Sequence, residues 1–134
     1  MNYLLDTNTC VLLIRQKLPQ VLAKLTSHPI ADIGISAITV AELQYGVQKS
    51  SRPAHNQQAL DLFLLPLTII PFDEHDAMAY GQICANLEAQ GSPIGALDTF
   101  IAAQAVQYNL ILVTNNVREF ARVPGLVIED WTKS

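Results

Sequence analysis

Short apolar runs alternate along the chain with longer segments whose apolar residues recur every three or four positions. The first such run, residues 3–5, ends abruptly at Asp6, and residues 10–14 then follow at spacings that suit a helix. Four more short runs occur later, at residues 33–35, 67–71, 110–113 and 127–131. A short apolar run that precedes a helical pattern is typical of a strand in a parallel sheet. The pattern therefore predicts an α/β fold with a short, mostly parallel central sheet of four to five strands.

Residues that start and stop helices separate these strands. Ser36 is placed to cap a helix that runs to about residue 49, and Asp73 opens a long helix with Asp76 as its capping partner. Gly91 ends that long helix at the position that glycine favours. The other helical patterns cover residues 19–27, 54–65 and 97–103. Because no linker-like or low-complexity stretch divides the chain, residues 1–134 are expected to form one domain.

Composition narrows the class of protein. Half of the 134 residues are hydrophobic and only 15% are charged, which predicts a dense core or a buried partner surface. No apolar run approaches the roughly 20 residues of a membrane helix, and no signal-peptide pattern opens the chain. Cys10 and Cys84 make no disulfide framework. These features predict a cytoplasmic protein with no membrane contact.

Charge argues against the usual basic surface of a nucleic-acid-binding protein. The net charge is −4, from 8 Lys and Arg against 12 Asp and Glu. A bound divalent cation would change the charge locally, so a nucleic-acid substrate is compatible with this balance.

Four acids occupy positions that a parallel sheet would bring together, because ligands bind outside the carboxyl ends of such strands. They are Asp6, Glu42, Asp98 and Glu119. Each also has an ordinary structural explanation when considered alone. Asp6 could cap the first helix, Glu42 could be a solvated helix residue, and Asp98 could favour the positive end of a helix dipole.

Convergence of the four carboxylates would carry a large electrostatic cost. At separations near ~6 Å, each charged pair repels by roughly 3 kcal/mol at an effective dielectric constant of about 20. Such a cluster needs protons or a cation, and hard oxygen ligands without a His or Cys cluster select Mg²⁺ or Mn²⁺. A divalent ion lowers the pKa of a bound water and stabilises charge on a phosphoryl group. The acids therefore indicate phosphodiester hydrolysis, and no glycine-rich phosphate-binding motif offers another explanation.

The ordered motifs resemble the PIN-domain nucleases, and most of all the VapC-type toxins of bacterial toxin–antitoxin pairs. The segments that carry the resemblance are MNYLLDTN at 1–8, SAITVAEL at 36–43, PIG at 93–95, Asp98 with IAA at 101–103, TNNVREF at 114–120, and VPGL through EDW at 123–131. Together they span essentially the whole chain. The resemblance implies a PIN-like three-layer α/β/α fold and a metal-dependent endoribonuclease that inhibits translation.

By this resemblance, Asp6 and Asp98 are the principal Mg²⁺ or Mn²⁺ ligands. Glu42 is a further ligand or a group that positions water, and Glu119 is the fourth acid. Some relatives carry an aspartate in the segment where this chain has Asn115 and Asn116. Four further residues are expected to orient these acids or to bind the scissile phosphate: Thr7, Asn8, Thr114 and Asn116.

The resemblance also implies partners. A VapB-type antitoxin would cover the active site with a basic side chain and would itself bind operator DNA, and the nuclease would form a homodimer. The substrate would be a structured RNA, often a transfer RNA. The apolar helices around residues 10–14 and 60–67 are candidates for antitoxin or dimer contacts, or for ordinary core.

Two other functions are compatible with the same residues. An aspartate after the first strand could be a phosphorylated nucleophile, although the haloacid dehalogenase pattern would place a second acid where this chain has Asn8. Alternatively, a PIN-like scaffold could bind a partner without cutting RNA.

Overall fold

A computed structural model describes residues 1–133, and this part of the chain contains a five-stranded sheet. The strands are β1 (Tyr3–Leu5), β2 (Ile33–Ser36), β3 (Thr68–Ile70), β4 (Ile111–Val113) and β5 (Val127–Glu129). Their order across the sheet is β3-β2-β1-β4-β5, and every pairing is parallel. The predicted α/β fold is confirmed, with five strands and a sheet that is entirely parallel.

Helices connect successive strands, as a parallel sheet requires. They are α1 (Thr7–Arg15), α2 (Pro19–Thr26), a 3₁₀ turn (Ile30–Asp32), α3 (Ala37–Gln48), α4 (Pro53–Leu64), α5 (Glu74–Ala89), α6 (Ala96–Gln107) and α7 (Val117–Phe120). Within residues 1–133, none of these helices combines the length and the apolar character needed to cross a membrane.

The central strand β1 separates two hydrophobic cores. Leu4 packs with α5, α6 and the Phe120 side chain on one face, whereas Leu5 packs with α1, α3 and α4 on the other. Both leucines are completely buried, because successive side chains of a strand point to opposite faces. The sheet therefore lies between two helical layers, which is the expected three-layer arrangement.

Helix α4 contributes less to the core than its leucines suggest. Only Leu60 is fully buried, whereas Leu62 and Leu65 are 66% and 81% exposed. Leu60 therefore belongs to the core, whereas Leu62 and Leu65 remain available for a partner contact.

Local capping fixes where the helices begin at the ends of strands. The Asp6 side chain accepts the Thr9 N–H at 2.8 Å at the start of α1, and Ser36 accepts the Ile38 N–H at 3.0 Å at the start of α3. Two of the helices that follow strands are thus held at the carboxyl edge of the sheet by residues at the strand ends. The site described below lies at that edge.

The reciprocal cap of α5 gives a test of the fold. The Asp73 side chain accepts the Asp76 N–H, and the Asp76 side chain accepts the Asp73 N–H, both at 3.0 Å. We expect Asp73→Ala to lower the free energy of unfolding by about 1 kcal/mol in urea titrations, because a cap of this kind is lost. Asp73→Asn is the matched control, since asparagine caps equally well. Equal losses in the two variants would mean that charge, rather than capping, stabilises α5.

Candidate active site

Four secondary-structure elements bring the predicted acids to one place. Asp6 follows β1, Glu42 lies on α3, Asp98 lies in the first turn of α6, and Glu119 lies on α7. The negative charges of Glu119, Glu42 and Asp6 all act on Asp98. The four acids that the sequence singles out therefore lie near enough to one another for their charges to interact.

Asp6 is both a helix cap and a member of the acidic cluster. Its side chain is 3% exposed, and its backbone N–H donates to the Val113 carbonyl at 3.0 Å, which ties it to β4. Burial raises the pKa of Asp6, hydrogen bonds from Thr114 and Thr9 lower it, and the charge of Glu42 raises it further. The capping explanation is therefore confirmed for Asp6, and its functional role stays a prediction that its place beside Glu42 leaves open.

Glu42 is held towards the cluster rather than released into solvent. The Thr7 hydroxyl donates to Glu42 Oε1 at 2.6 Å, and the buried Thr39 hydroxyl lies 3.5 Å from Thr7 Oγ1. A single hydroxyl proton makes one strong hydrogen bond, so Thr7 donates to the carboxylate, which is the closer acceptor. The first turn of α1 thus orients the glutamate of α3.

Asp98 and Glu119 share one region of the site but differ in their partners. Glu119 Oε1 accepts the Gly95 N–H at 3.1 Å, and Glu119 Oε2 accepts the Asn116 side-chain N–H at 2.7 Å. These donors, with Gly95 first, lower the pKa of Glu119. Burial and then the charge of Glu119 raise the pKa of Asp98 to about 6. Without a cation, Glu119 therefore stays ionised and Asp98 is the member of the pair that takes up a proton.

Three of the four predicted auxiliary residues join the hydrogen bonds of the site. Thr7 holds Glu42, the buried Thr114 hydroxyl hydrogen-bonds Asp6, and the Asn116 side chain holds Glu119. Asn8 is exposed, as is Asn115. Sequence reasoning identified Asn116 by its place in the motif, not by the glutamate that it contacts.

Two contributors were missed from the sequence. Gly95 acts through its backbone N–H, and a backbone donor leaves no side-chain signal in a sequence. Thr9 donates its N–H to Asp6 and its hydroxyl to the Val113 carbonyl at 3.1 Å. Its position three residues after a capping aspartate was an available signal for the first of these contacts.

The donor set fits a hydrated divalent ion. In the described residues, no three His, Cys, Asp or Glu side chains are grouped closely enough to hold one ion together. Mg²⁺ usually retains several waters and contacts only one or two carboxylates directly, so a tighter group is not required. The raised pKa values of Asp6 and Asp98 reflect burial together with excess negative charge, which a cation would offset.

A groove of about 300 Å³ opens directly beside the acids, between α1, α3 and α4. Thr7 and Glu42 line the groove next to the acidic cluster. Arg15 and Lys49 line it as well, and they lie where α1 and α3 end. Its apolar wall is formed by Val11, Ile14, Leu43, Val47, Ala59 and Leu60. The groove thus combines an apolar wall with acidic and basic groups.

Known proteins are similar to this chain in sequence and in fold. Residues 3–126 match the PIN domain family model. Ribonuclease VapC2 of Rickettsia felis is 43% identical over 139 residues, covering 99% of this chain and 100% of that protein. The tRNA(fMet)-specific endonuclease VapC of Salmonella typhimurium is 40% identical and covers 98% of each chain. The crystal structure of DNA-bound VapBC from Salmonella typhimurium superimposes with a TM-score of 0.94 at 39% identity, over 98% of each chain.

The pKa of Asp98 predicts a pH dependence of stability in metal-free protein. Its folded value of about 6 lies above the ordinary 3.8, so the folded state binds this proton more tightly than the unfolded state. The resulting stabilisation is complete at pH values below about 4 and is lost as pH rises through about 6. Asparagine does not ionise, so Asp98→Asn escapes this loss and should become progressively more stable than wild type as pH rises through that window. Urea titrations from pH 4 to pH 8 with EDTA measure the difference, and parallel profiles would contradict the assignment.

Proposed function

The chain belongs to the PIN-domain family, and within that family to the VapC ribonucleases, and we propose that it is the metal-dependent toxin of a toxin–antitoxin pair. The observation that carries this proposal is that four carboxylates from four separate elements lie near enough to one another, at one edge of the sheet, for their charges to interact. Membership in the family supports the enzyme class, and the site supports the chemistry.

The proposed reaction is hydrolysis of an RNA phosphodiester bond by water. Asp6 and Asp98 would hold Mg²⁺ or Mn²⁺, which supplies a water of lowered pKa and stabilises charge on the phosphoryl group. Glu42, fixed by Thr7, is placed to ligate the ion or to orient the attacking water. The water oxygen would bond to phosphorus while a carboxylate takes its proton, and the bond from phosphorus to the 3′ oxygen would break. The 3′ oxygen would then take up a proton, so that the products carry a 5′-phosphate and a 3′-hydroxyl.

Transfer RNA is the substrate class that we propose. The Salmonella typhimurium relative is specific for tRNA(fMet), and its 40% identity extends over 98% of both chains. Cleavage of an initiator tRNA would inhibit translation at its first step. The negative net charge of the chain makes the cation an important part of RNA binding, because it offsets the repulsion between the acids and the phosphates.

The partner proposed for inhibition is a VapB-type antitoxin. The related VapBC complexes pair the ribonuclease with such a protein on DNA, which supports an indirect contact with operator DNA. An apolar antitoxin segment would occupy the groove, and its basic side chain would reach the acids past Glu42. We also propose a homodimer in the cytoplasm, and the exposed Leu62 of α4 and Leu65, which directly follows α4, support a contact between subunits.

Cleavage of tRNA(fMet) by the purified, antitoxin-free protein tests the proposed reaction. We expect cutting with Mg²⁺ or Mn²⁺ and none with chelator, and Asp6→Asn or Asp98→Asn should lower kcat/KM by at least ~100-fold, since even residues that only support metal ligands cost 10–100-fold. Asp61→Asn, an exposed carboxylate of α4, is the control. Products with 2′,3′-cyclic phosphate ends would instead indicate attack by the RNA 2′-hydroxyl and would refute the mechanism.

Filling the groove tests the antitoxin site. A Cβ added at Gly46, which lines the groove on α3, would meet no atom within 4 Å, and the same holds for Gly81 on α5. Both glycine-to-leucine changes should stabilise their helices by roughly 0.5–1 kcal/mol, because glycine is a poor helix former.

Only Gly46→Leu should weaken antitoxin binding, by at least ~10-fold, or about 1.4 kcal/mol, as measured by titration calorimetry with the cognate antitoxin. Gly81→Leu is the matched control, because it makes the same change outside the groove. Unchanged affinity in Gly46→Leu would exclude the groove as the antitoxin site.

A further inference from the structure

A path of hydrogen bonds leads from Thr114, beside Asp6, to the loop before α6. The Thr114 side chain lowers the pKa of Asp6, and its hydroxyl oxygen accepts the Asn116 backbone N–H at 2.9 Å. The Asn116 side chain then donates to Glu119 Oε2 at 2.7 Å. One asparagine thus contacts the residue that orients Asp6 and also contacts Glu119.

The path continues from Glu119 to the start of α6. Glu119 Oε1 accepts the N–H of Gly95, the N-cap residue of α6, at 3.1 Å. The Gly95 carbonyl in turn accepts the Thr99 N–H at 2.9 Å and the Thr99 hydroxyl at 2.8 Å. A second tie is parallel to the first, because Arg122 donates to the Pro93 carbonyl at 3.1 Å. The segment that includes α7 therefore holds the loop that precedes α6, the helix on which Asp98 lies.

Glu119 lies beside Asp98, and the protein holds both of its carboxylate oxygens by hydrogen bonds. A Cβ at Gly95 would lie 3.7 Å from Asp98 Oδ2 and 3.9 Å from Glu119 Oε1, so both carboxylates line the same glycine. Each Glu119 oxygen already accepts a hydrogen bond from the protein. These two donors occupy about two of the four lone-pair sites of the carboxylate and fix the direction in which it points. Helix α7 has only four residues, so its side-chain contacts are needed to fix its position.

We propose that Glu119 and Asn116 are positioning residues that hold the start of α6, and with it Asp98, in place, and that this support rather than metal ligation is the role of Glu119. This inference rests on the proposed function and refines it, since the family resemblance alone suggests a fourth acid at the ion. In this arrangement, Glu119 acts through Gly95 on the orientation of α6, and Asn116 fixes Glu119.

Glu119→Gln separates positioning from ligation. Glutamine keeps an oxygen that accepts the Gly95 N–H, and a half-turn of the Asn116 amide lets it accept from the new Nε2. A positioning role therefore survives this change, whereas a ligand would lose its charge. Glu119→Ala and Asn116→Ala remove the support altogether. Asn115→Ala is the matched control, because Asn115 is the exposed neighbour of Asn116 in the same loop.

Mn²⁺ titration calorimetry without RNA and steady-state kinetics on tRNA(fMet) provide the readouts. We expect Glu119→Gln to stay within ~3-fold of wild type in Mn²⁺ affinity and kcat, whereas Glu119→Ala and Asn116→Ala lower kcat by ~10–100-fold with little change in KM. Asp98→Asn supplies the benchmark for a lost ligand. A Glu119→Gln variant that loses as much Mn²⁺ affinity as Asp98→Asn would overturn the proposal, as would Asn116→Ala behaving like Asn115→Ala.

Hydrogen exchange in metal-free protein tests the support independently of the reaction. Asn116→Ala should accelerate exchange of the Gly95 amide, whereas Asn115→Ala should leave it at the wild-type rate. Equal rates in the two variants would contradict the positioning role. If wild type neither binds Mn²⁺ nor cuts RNA, the proposed function fails, and the Gly95 exchange rates still decide whether Asn116 and Glu119 support α6.

Discussion

Repulsion among carboxylates held at one edge of a parallel sheet is the constraint on which the site depends. Like charges in a partly buried place raise one another's pKa unless hydrogen bonds or a cation compensate them. Asp6, Glu42 and Glu119 each accept hydrogen bonds from neighbouring protein groups. Burial and the charge of Glu119 raise the pKa of Asp98 to about 6. The protein thus stabilises three acids with its own donors and leaves the fourth most dependent on a proton or a metal.

The hydrogen bonds that offset this repulsion also hold the helices of the fold in place. Asp6 caps α1 while it faces the cluster, and Thr7 lies in the same first turn while it holds Glu42. The Gly95 N–H belongs to the cap of α6 and supports Glu119. The fold and the proposed active site therefore draw on the same few contacts, so a single substitution at this edge of the sheet is expected to affect both.

The groove beside Glu42 is the part of the structure through which we propose that the site is regulated. It adjoins Glu42, and its wall uses the apolar face that α1, α3 and α4 leave open. A segment that enters the groove meets apolar side chains along the wall and negative charge beside the acids. The absence of a side chain at Gly46 keeps the wall open on α3. The proposed inhibition by a basic side chain of the antitoxin would use the same acids that would bind the metal.

The sequence by itself determined the α/β class, the helix starts and the identity of the four acids. These features have local causes, because strand and helix periodicity and capping act over a few residues, as at Asp6, Ser36 and Asp73. Only the tertiary structure decided that the acids meet, that Glu119 is held by the Gly95 N–H, and that Leu65 stays exposed. Those outcomes depend on contacts between residues far apart in the chain and on backbone donors, neither of which a local pattern records.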